Sequence, residues 1–441
     1  MSGNESTRRS FIRTSALAGT TVTLTPWLRR VAGQTANDRI GIALVGQGAM
    51  GTGHRHLLKR LRDQGRANIA IPHICDVYRK RLDLAATDVG AESKSMDYRR
   101  VIDDKNVDVV LIATPDHWHH KIAKEAMEAG KDVYCEKPMC HTIEQAKDLV
   151  ATQARTGRCL QVGCQGTSDD LCNQIRAEIT KGTIGPLVMI VASHSRNGTA
   201  GEWRNHGLHL PGGIEGVDMD AKPGPDLDWD MFLGSKWNLA PKRDWHPGRF
   251  FQFRCYWDYS GGVATDLFFH DMGRILKSTP LGFPERVTAS GGIYVFNEKH
   301  KTPQGWPDDR EVPDTTAMTI DYPGGPTVVL SATMCNDSNP DGEIRGHLAT
   351  VVLLGKGRAE IRPQGINSRK DVIKLESTRP GNQETHWLNL LECMRNRTPD
   401  KCHAPVDLGY RATVAISMGV LAYRQEKVMK WDAAKEEAKP A

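Results

Sequence analysis

Ile40-Gly41-Ile42-Ala43-Leu44-Val45-Gly46-Gln47-Gly48-Ala49-Met50-Gly51 decides how the rest of this chain is read. Its first half is an apolar run without polar alternation, which suits a strand covered on both faces. A G-x-G-x-x-G follows at once, and the segment after it, His54 to Leu61, has helical spacing. In a strand–turn–helix setting each glycine has a reason. Gly46 permits the tight turn, Gly48 lets backbone amides approach a pyrophosphate at the helix N-terminus, and Gly51 lets helix and strand pack closely. Gly46, Gln47, Gly48, Ala49, Met50 and Gly51 are therefore the candidate dinucleotide cradle. The plainer alternative is a glycine-rich turn with no ligand.

Working outward, the alternation continues. Ile69 to Cys75 is a second strand, made irregular by Pro72; Val107 to Ala113, Lys131 to Cys135 and Cys159 to Gly163 follow as further buried strands. Helices fit between them. Ile122, Ala123, Ala126 and Met127 share one face, and Gly130 stops that helix. Thr142 with Gln145 forms a capping box at the start of a helix carrying Ile143, Ala146 and Leu149. Strand and helix repeated this way predict a parallel doubly wound sheet. Asp76 closes the second strand, where a carboxylate can accept both ribose hydroxyls of NAD and would repel the 2′-phosphate of NADP. Arg79 and Lys80 follow closely and could hold that phosphate, so NAD is favoured and NADP stays open.

Beyond about Gly163 the pattern changes. A helix, Leu171 to Lys181, leads to a strand, Leu187 to Ala192, and then to a long stretch rich in Gly, Pro and Trp. Trp203, Trp229, Trp237, Trp245 and Trp257 are half of the ten tryptophans. Such aromatic content argues against disorder, and long connections in compact proteins are commonly functional. Thr316 to Tyr322 and Thr327 to Thr333 alternate as half-exposed antiparallel strands do. A helical stretch, Arg411 to Lys427, closes the chain, and no internal repeat is present.

Composition bounds the function. At 441 residues the chain has room for two or three domains of roughly 150 residues each. Hydrophobic residues at 39% and charged residues at 25% are a globular balance, which excludes wholesale disorder and a collagen-like fibre. No run of roughly 18 apolar residues occurs, so no membrane span is expected in the mature chain. The net charge of +5 is concentrated at the start: Arg8, Arg9, Arg13, Arg29 and Arg30 face only Glu5 there. Little basic excess is left elsewhere to argue for nucleic acid. The ten cysteines contain no C-x-x-C pair, so no zinc site and no metal is expected. Thr7-Arg8-Arg9-Ser10-Phe11-Ile12-Arg13, a weakly hydrophobic run to Leu28 and Val31-Ala32-Gly33 resemble a twin-arginine export signal. Residues 1–36 are read as that signal and its linker, giving a periplasmic or otherwise extracytoplasmic destination.

Two further stretches carry chemistry: Ala113-Thr114-Pro115-Asp116-His117-Trp118-His119-His120 and Glu136-Lys137-Pro138. Lys137 precedes a proline, so its backbone is held extended, and it ends a parallel strand, where such sheets bind ligands. Asp266 and His270 are four apart and would share one helix face. A carboxylate beside an imidazole orients it and stabilises its protonated form. Read by themselves, these could equally be a surface pair and a solvated lysine. The histidine cluster invites a metal reading, but no convergent carboxylate is visible beside it.

Together with the glycine motif, these stretches resemble the Gfo/Idh/MocA family of sugar and cyclitol oxidoreductases. Leu227-Asp228-Trp229-Asp230 with Leu233-Gly234, and Gly261-Gly262 with Asp266 and His270, reinforce the resemblance from Arg39 onward. It implies an α/β fold: an N-terminal Rossmann doubly wound parallel sheet, residues 37–164, and a C-terminal α/β domain with a large, mainly antiparallel sheet, residues 165–441. It also implies a homodimer or homotetramer joined through that sheet. His270 matches the family's acid/base, Asp266 its partner and Lys137 the lysine of its Glu-Lys-Pro motif. Thr114, Pro115, His117, His120, Glu136 and Lys137 would border the cofactor.

The implied reaction oxidises a sugar, glycoside or cyclitol by hydride transfer to NAD(P). His270 takes the hydroxyl proton and Lys137 steadies the alkoxide. Many relatives have Gln-x-Arg after the fifth strand; here Gln165-Gly166 lacks the arginine. Gln165, Arg249, Arg254 and Trp257 are substrate candidates beside Lys137, Asp266 and His270, with Glu202, Trp203 and Arg204 from the same tryptophan-rich region. An indole can stack on a sugar face while charged groups bond its hydroxyls. Export before use implies a tightly bound cofactor reset in place. The alternatives are a redox-neutral glycosidase or epimerase on this scaffold and a non-catalytic sugar-binding protein.

Overall fold

The computed structural model describes residues 39–204, 217–367 and 371–441. The export-signal expectation, residues 1–36, lies outside them. The first sheet contains β1 (Ile40–Val45), β2 (Ile69–Ala70), β3 (His73–Cys75), β4 (Ser93–Ser95), β5 (Val109–Ile112), β6 (Asp132–Glu136) and β7 (Leu160–Gly163). Its order is β4-β3-β1-β5-β6-β7, all parallel, with β2 also paired to β1. The chain leaves β1 toward β3 on one side and β5 on the other, which opens a crevice at the strands' C-terminal ends. Residues of β1 and β5 are all buried, as helices cover both faces.

Pro72 splits the expected second strand in two, because it donates no ladder hydrogen bond. The short polar edge strand β4 had no apolar signal in the sequence. The capping box of helix Ile143–Thr156 is formed as expected, with Gln145 N–H donating to Thr142 Oγ1 at 3.3 Å.

The second sheet joins β8 (Leu187–Ser193), β9 (Arg286–Gly292), β10 (Thr315–Asp321), β11 (Thr327–Thr333), β12 (Gly342–Gly346), β13 (Ala349–Gly355), β14 (Arg358–Pro363), β15 (Ile373–Glu376), β16 (Met429–Asp432) and β17 (Glu437–Pro440). Their order is β15-β14-β13-β12-β8-β11-β10-β9-β16-β17. Only β8 and β11 run parallel; every other pair is antiparallel. Burial alternates along β10 and β11, so one face turns Met318, Ile320, Val328 and Leu330 into the core beneath helix Val406–Gln425. Helix Gln383–Asn396 returns to the first sheet. Its Trp387, Leu390 and Leu391 share a core with Ile42, Leu44 and Leu58. Helix Phe268–Ser278 packs on helices Leu171–Thr180 and Val406–Gln425 and brings His270 to the crevice.

Candidate active site

A cavity of about 420 Å³ sits at the C-terminal ends of the parallel strands. Gly46, Asp76, Thr114 and Lys137 line it from the first sheet; Trp203, Arg254, Asp266 and His270 line it from the second domain. At one end is the glycine turn. Gly46 has φ +90°, and a Cβ there would sit 2.5 Å from the Ala113 carbonyl oxygen. A Cβ on Gly51 would sit 1.9 Å from the Gly46 oxygen, so helix and turn meet there backbone to backbone. Gly48 is the N-cap of helix Ala49–Asp63 and no side chain caps it. Gly48, Ala49 and Met50 face the cavity, so the helix N-terminus is turned toward it. That end carries partial positive charge and suits a diphosphate. Gln47 and Gly51 shape the turn without lining the cavity. Gln47 Nε2 donates to the Gly46 oxygen at 2.9 Å, and its Oε1 accepts from Arg55 at 3.0 Å.

Asp76 lines the cavity and accepts backbone N–H bonds from Gln47 (2.6 Å) and Tyr78 (2.8 Å). Burial raises its pKa above the usual carboxylate value, against the Arg81 charge and those two bonds. Arg79 and Lys80 do not reach the cavity; they pair with Asp226 (2.9 Å) and Asp218 (2.8 Å). The neighbouring Arg81 does line it, with its guanidinium over the Phe251 ring at 5.0 Å.

Helix Asp116–Glu128 places its side chains about 100° apart, so only one stripe can face the cavity. That stripe is Trp118 and Ile122. His117 and His120 therefore turn away. His117 Nε2 donates to the Phe232 carbonyl (2.9 Å), and burial pushes the ring down to about 3. His120 pairs with Asp148 at 2.6 Å. His119, which the motif reading passed over, joins two strand ends: its ring nitrogens meet the carbonyls of Pro138 (2.6 Å) and Thr114 (2.9 Å). Thr114 and Pro115 line the cavity as expected, and Thr114 Oγ1 is buried without a hydrogen-bond partner.

The other end is built around Asp266. Lys137 Nζ donates to its carboxylate and to its backbone oxygen, the latter at 2.8 Å. Trp203 Nε1 donates to Oδ2 at 3.1 Å, and Arg254 Nε lies 3.0 Å from Oδ1. Burial opposes ionisation of Asp266, but the Lys137 and Arg254 charges outweigh it and hold the carboxyl well below its usual range. Asp266 ends one short helix, Gly262–Asp266, and His270 lies in the next, Phe268–Ser278, with Leu267 breaking the turn at φ −101°. Both side chains still line the cavity, but the hydrogen bonds of Asp266 go to Lys137 and Trp203 rather than to the imidazole. Burial, and then the Lys137 charge, push His270 down to about 3, leaving it neutral near neutral pH.

Gln165 lines the cavity, and its Oε1 is buried without a partner. Arg254 lines it; Arg249 and Trp257 do not. Arg249 pairs with Asp258 (3.3 Å) and Glu311 (2.7 Å), and Trp257 packs 6.3 Å from Tyr423. Arg204 is buried on Asp308 (3.0 Å) and Asp309 (2.7 Å). Glu136 lies behind Lys137, bonded to His54 at 2.8 Å. Arg196, paired with Glu202 at 2.9 Å, completes the rim. Its only sequence signal is its place just past the end of β8. Arg196 and Arg254 bring guanidinium groups into a site whose fifth strand lacks the expected arginine. Among the described residues no group of three or more His, Cys, Asp or Glu is placed to hold a metal ion, and no helix is long and apolar enough to cross a membrane.

Residues 40–164 match the GFO_IDH_MocA family, described as "Oxidoreductase family, NAD-binding Rossmann fold". Residues 40–164 are thus similar to the NAD-binding domain of that oxidoreductase family. The expected fold class and NAD as the cofactor are thereby borne out. An inositol 2-dehydrogenase/D-chiro-inositol 3-dehydrogenase of Lactiplantibacillus plantarum is 27% identical over 181 residues, 41% of this chain and 51% of that protein. Glycosyl hydrolase family 109 protein 2 of Shewanella is 36% identical over 130 residues, 27% of each chain. The matched segments thus span about half or less of these relatives. A levoglucosan dehydrogenase in complex with NADH and levoglucosan has the same fold, with a TM-score of 0.63, 18% identity, and coverage of 89% of this chain and 99% of that one.

Proposed function

We propose that this protein is an NAD-dependent oxidoreductase acting on a CH–OH group of a sugar, glycoside or cyclitol. The observation that carries the reading is one cavity holding an open helix N-terminus and Asp76 at one end, and Lys137, Asp266 and His270 at the other. Gly46, Gly48, Ala49, Met50 and Asp76 would hold NAD, which when bound supplies the hydride acceptor. The Lys137 ammonium, fixed by Asp266, steadies negative charge growing on the substrate oxygen. His270 is neutral near neutral pH and takes the hydroxyl proton. Trp203 offers an indole face to a sugar ring, while Gln165, Arg196 and Arg254 offer partners to its hydroxyls.

The likeness to a glycosyl hydrolase family 109 protein supports a second reading. Oxidation at one carbon acidifies the neighbouring C–H and permits elimination of the aglycone; water then adds across the resulting double bond, and the oxidation is reversed. That cycle releases hydrolysed glycoside with no net change of nicotinamide. The Arg8-Arg9 segment supports export by the twin-arginine route with the cofactor tightly bound. The open face of the second sheet would join subunits.

The deciding experiment begins with purified protein that is heat-denatured and assayed for released nucleotide by mass spectrometry. The protein is then incubated with a panel of polyols, sugars and aryl glycosides. Keto-sugar formed with stoichiometric NADH supports the dehydrogenase. Glycoside hydrolysed without NADH supports the redox-neutral cycle. Sugar binding unchanged by His270→Ala, with no turnover of any substrate, would leave only a binding protein.

A further inference from the structure

Glu136 is 4% exposed, and its hydrogen bonds come from His54 and from the Lys137 backbone rather than from a lysine or arginine side chain. The bond to His54 is the middle of a longer chain. Trp387 Nε1 donates to His54 Nδ1 at 2.8 Å. An indole N–H can only donate, so Nδ1 is the acceptor and the ring proton sits on Nε2. Nε2 then donates to Glu136 Oε1 at 2.8 Å, while Oε2 accepts the Lys137 N–H at 3.2 Å. Trp387 and His54 are fully buried, and the indole stacks on Tyr134 at 4.4 Å and 14°. The three residues come from three elements: helix Gln383–Asn396, helix Ala49–Asp63 and β6.

We propose that Trp387 is a positioning residue for the Lys137–His270 site: by fixing the His54 tautomer it keeps the Glu136 carboxylate, unpaired by any fixed cation, directly behind Lys137. This rests on the oxidoreductase reading above. A histidine whose Nδ1 must accept presents one N–H to Glu136 and cannot turn its ring without losing both bonds. Glu136 therefore keeps its negative charge and its orientation. The charged and titratable groups that feel it include His54, Lys137, His270, Tyr134 and Cys135, with Arg254 from the second domain and His386 from the Trp387 helix. Its field reaches both Lys137 and His270. Without the indole donor, His54 is held by the Glu136 bond alone and its buried Nδ1 no longer faces a donor, so it can take up a proton or let the ring shift, and the carboxylate behind Lys137 is held less firmly.

The test is Trp387→Phe, which keeps an aromatic ring against Tyr134 and removes only the N–H. In wild-type protein labelled with ¹⁵N-histidine, the His54 resonances should show the proton on Nε2; in the variant Nδ1–H should appear. With a substrate found by the panel above, kcat should fall by about tenfold or more while NAD affinity stays within about twofold. Glu136→Gln keeps an acceptor for His54, so it should retain the Nε2–H tautomer and still lose kcat. An unchanged His54 tautomer in Trp387→Phe overturns the proposal. So does wild-type kcat in either variant, or a kcat loss that only tracks lost NAD binding. Should Trp387→Phe fail to fold, Glu136→Gln decides. Should wild-type protein turn over nothing, the oxidoreductase reading fails by itself, while the tautomer measurement still decides the relay.

Discussion

Lys137 grips Asp266 twice, through the carboxylate and through the backbone carbonyl at 2.8 Å. Lys137 directly follows a strand of the first sheet and Asp266 ends a helix of the second domain, so this pair ties the two halves together inside the cavity. Both side chains are below one-tenth exposed, which makes the pair sensitive to loss of either partner.

Lys137→Met should lower turnover by about 10²–10⁴-fold, the usual range for a proton-handling or charge-stabilising group. NAD should remain bound, since the glycine turn and Asp76 do not bond to the Lys137 side chain. Arg254 and Trp203 still hold Asp266, so the stability loss should stay below about 3 kcal/mol. Steady-state kinetics, nucleotide release and thermal melting check the three parts. Turnover near wild type would remove Lys137 from the reaction.

Gly51→Ala should abolish NAD binding. Its Cβ would meet the Gly46 oxygen at 1.9 Å, and that atom belongs to backbone that can yield only by moving the turn. Gly53→Ala is the control, because nothing lies within 4 Å of its Cβ. Equilibrium binding of NAD to both variants tests this, and equal affinities would show that the turn is not the cradle.

Asp76→Ala should weaken NAD binding and shift preference toward NADP by about tenfold or more, as the carboxylate is removed and the Arg81 charge stays. Two backbone N–H groups lose their acceptor, at a cost of about 1–3 kcal/mol each where no water replaces it. Paired Kd measurements for NAD and NADP check the shift; an unchanged ratio would exclude Asp76 from cofactor choice.

Stability should decline as pH falls below about 6.5. Burial pushes His117 down to about 3 and His386 to about 4. Their folded values lie below the unfolded one, so between those limits the unfolded chain binds protons that the folded chain refuses. The contribution is complete above the unfolded value and is lost as pH drops through the window. Melting temperature against pH for His386→Gln should show a shallower fall than wild type; parallel curves would count against a buried neutral ring.

The run Ile40 to Gly51 made the first buried strand and the glycine turn after it legible, because strand burial and glycine spacing are local properties. Thr142 with Gln145, and the alternation in Thr327 to Thr333, were legible for the same reason. Helix rotation was harder to read: His117 and His120 belong to a motif that borders the cavity, yet the turn of the helix gives that place to Trp118 and Ile122.

What only the tertiary structure decided is which side chains meet. Trp203 and Arg254 reach Asp266 from 63 and 12 residues away in sequence, and Trp387 reaches His54 across 333. Such pairings follow from how one sheet and its helices pack on another, and no local spacing encodes the distance between residues that far apart on the chain. The sequence alone therefore specified the chemistry available, a lysine, a histidine and several carboxylates, while the packing chose Asp266 as the partner of Lys137 and left His270 without its bond.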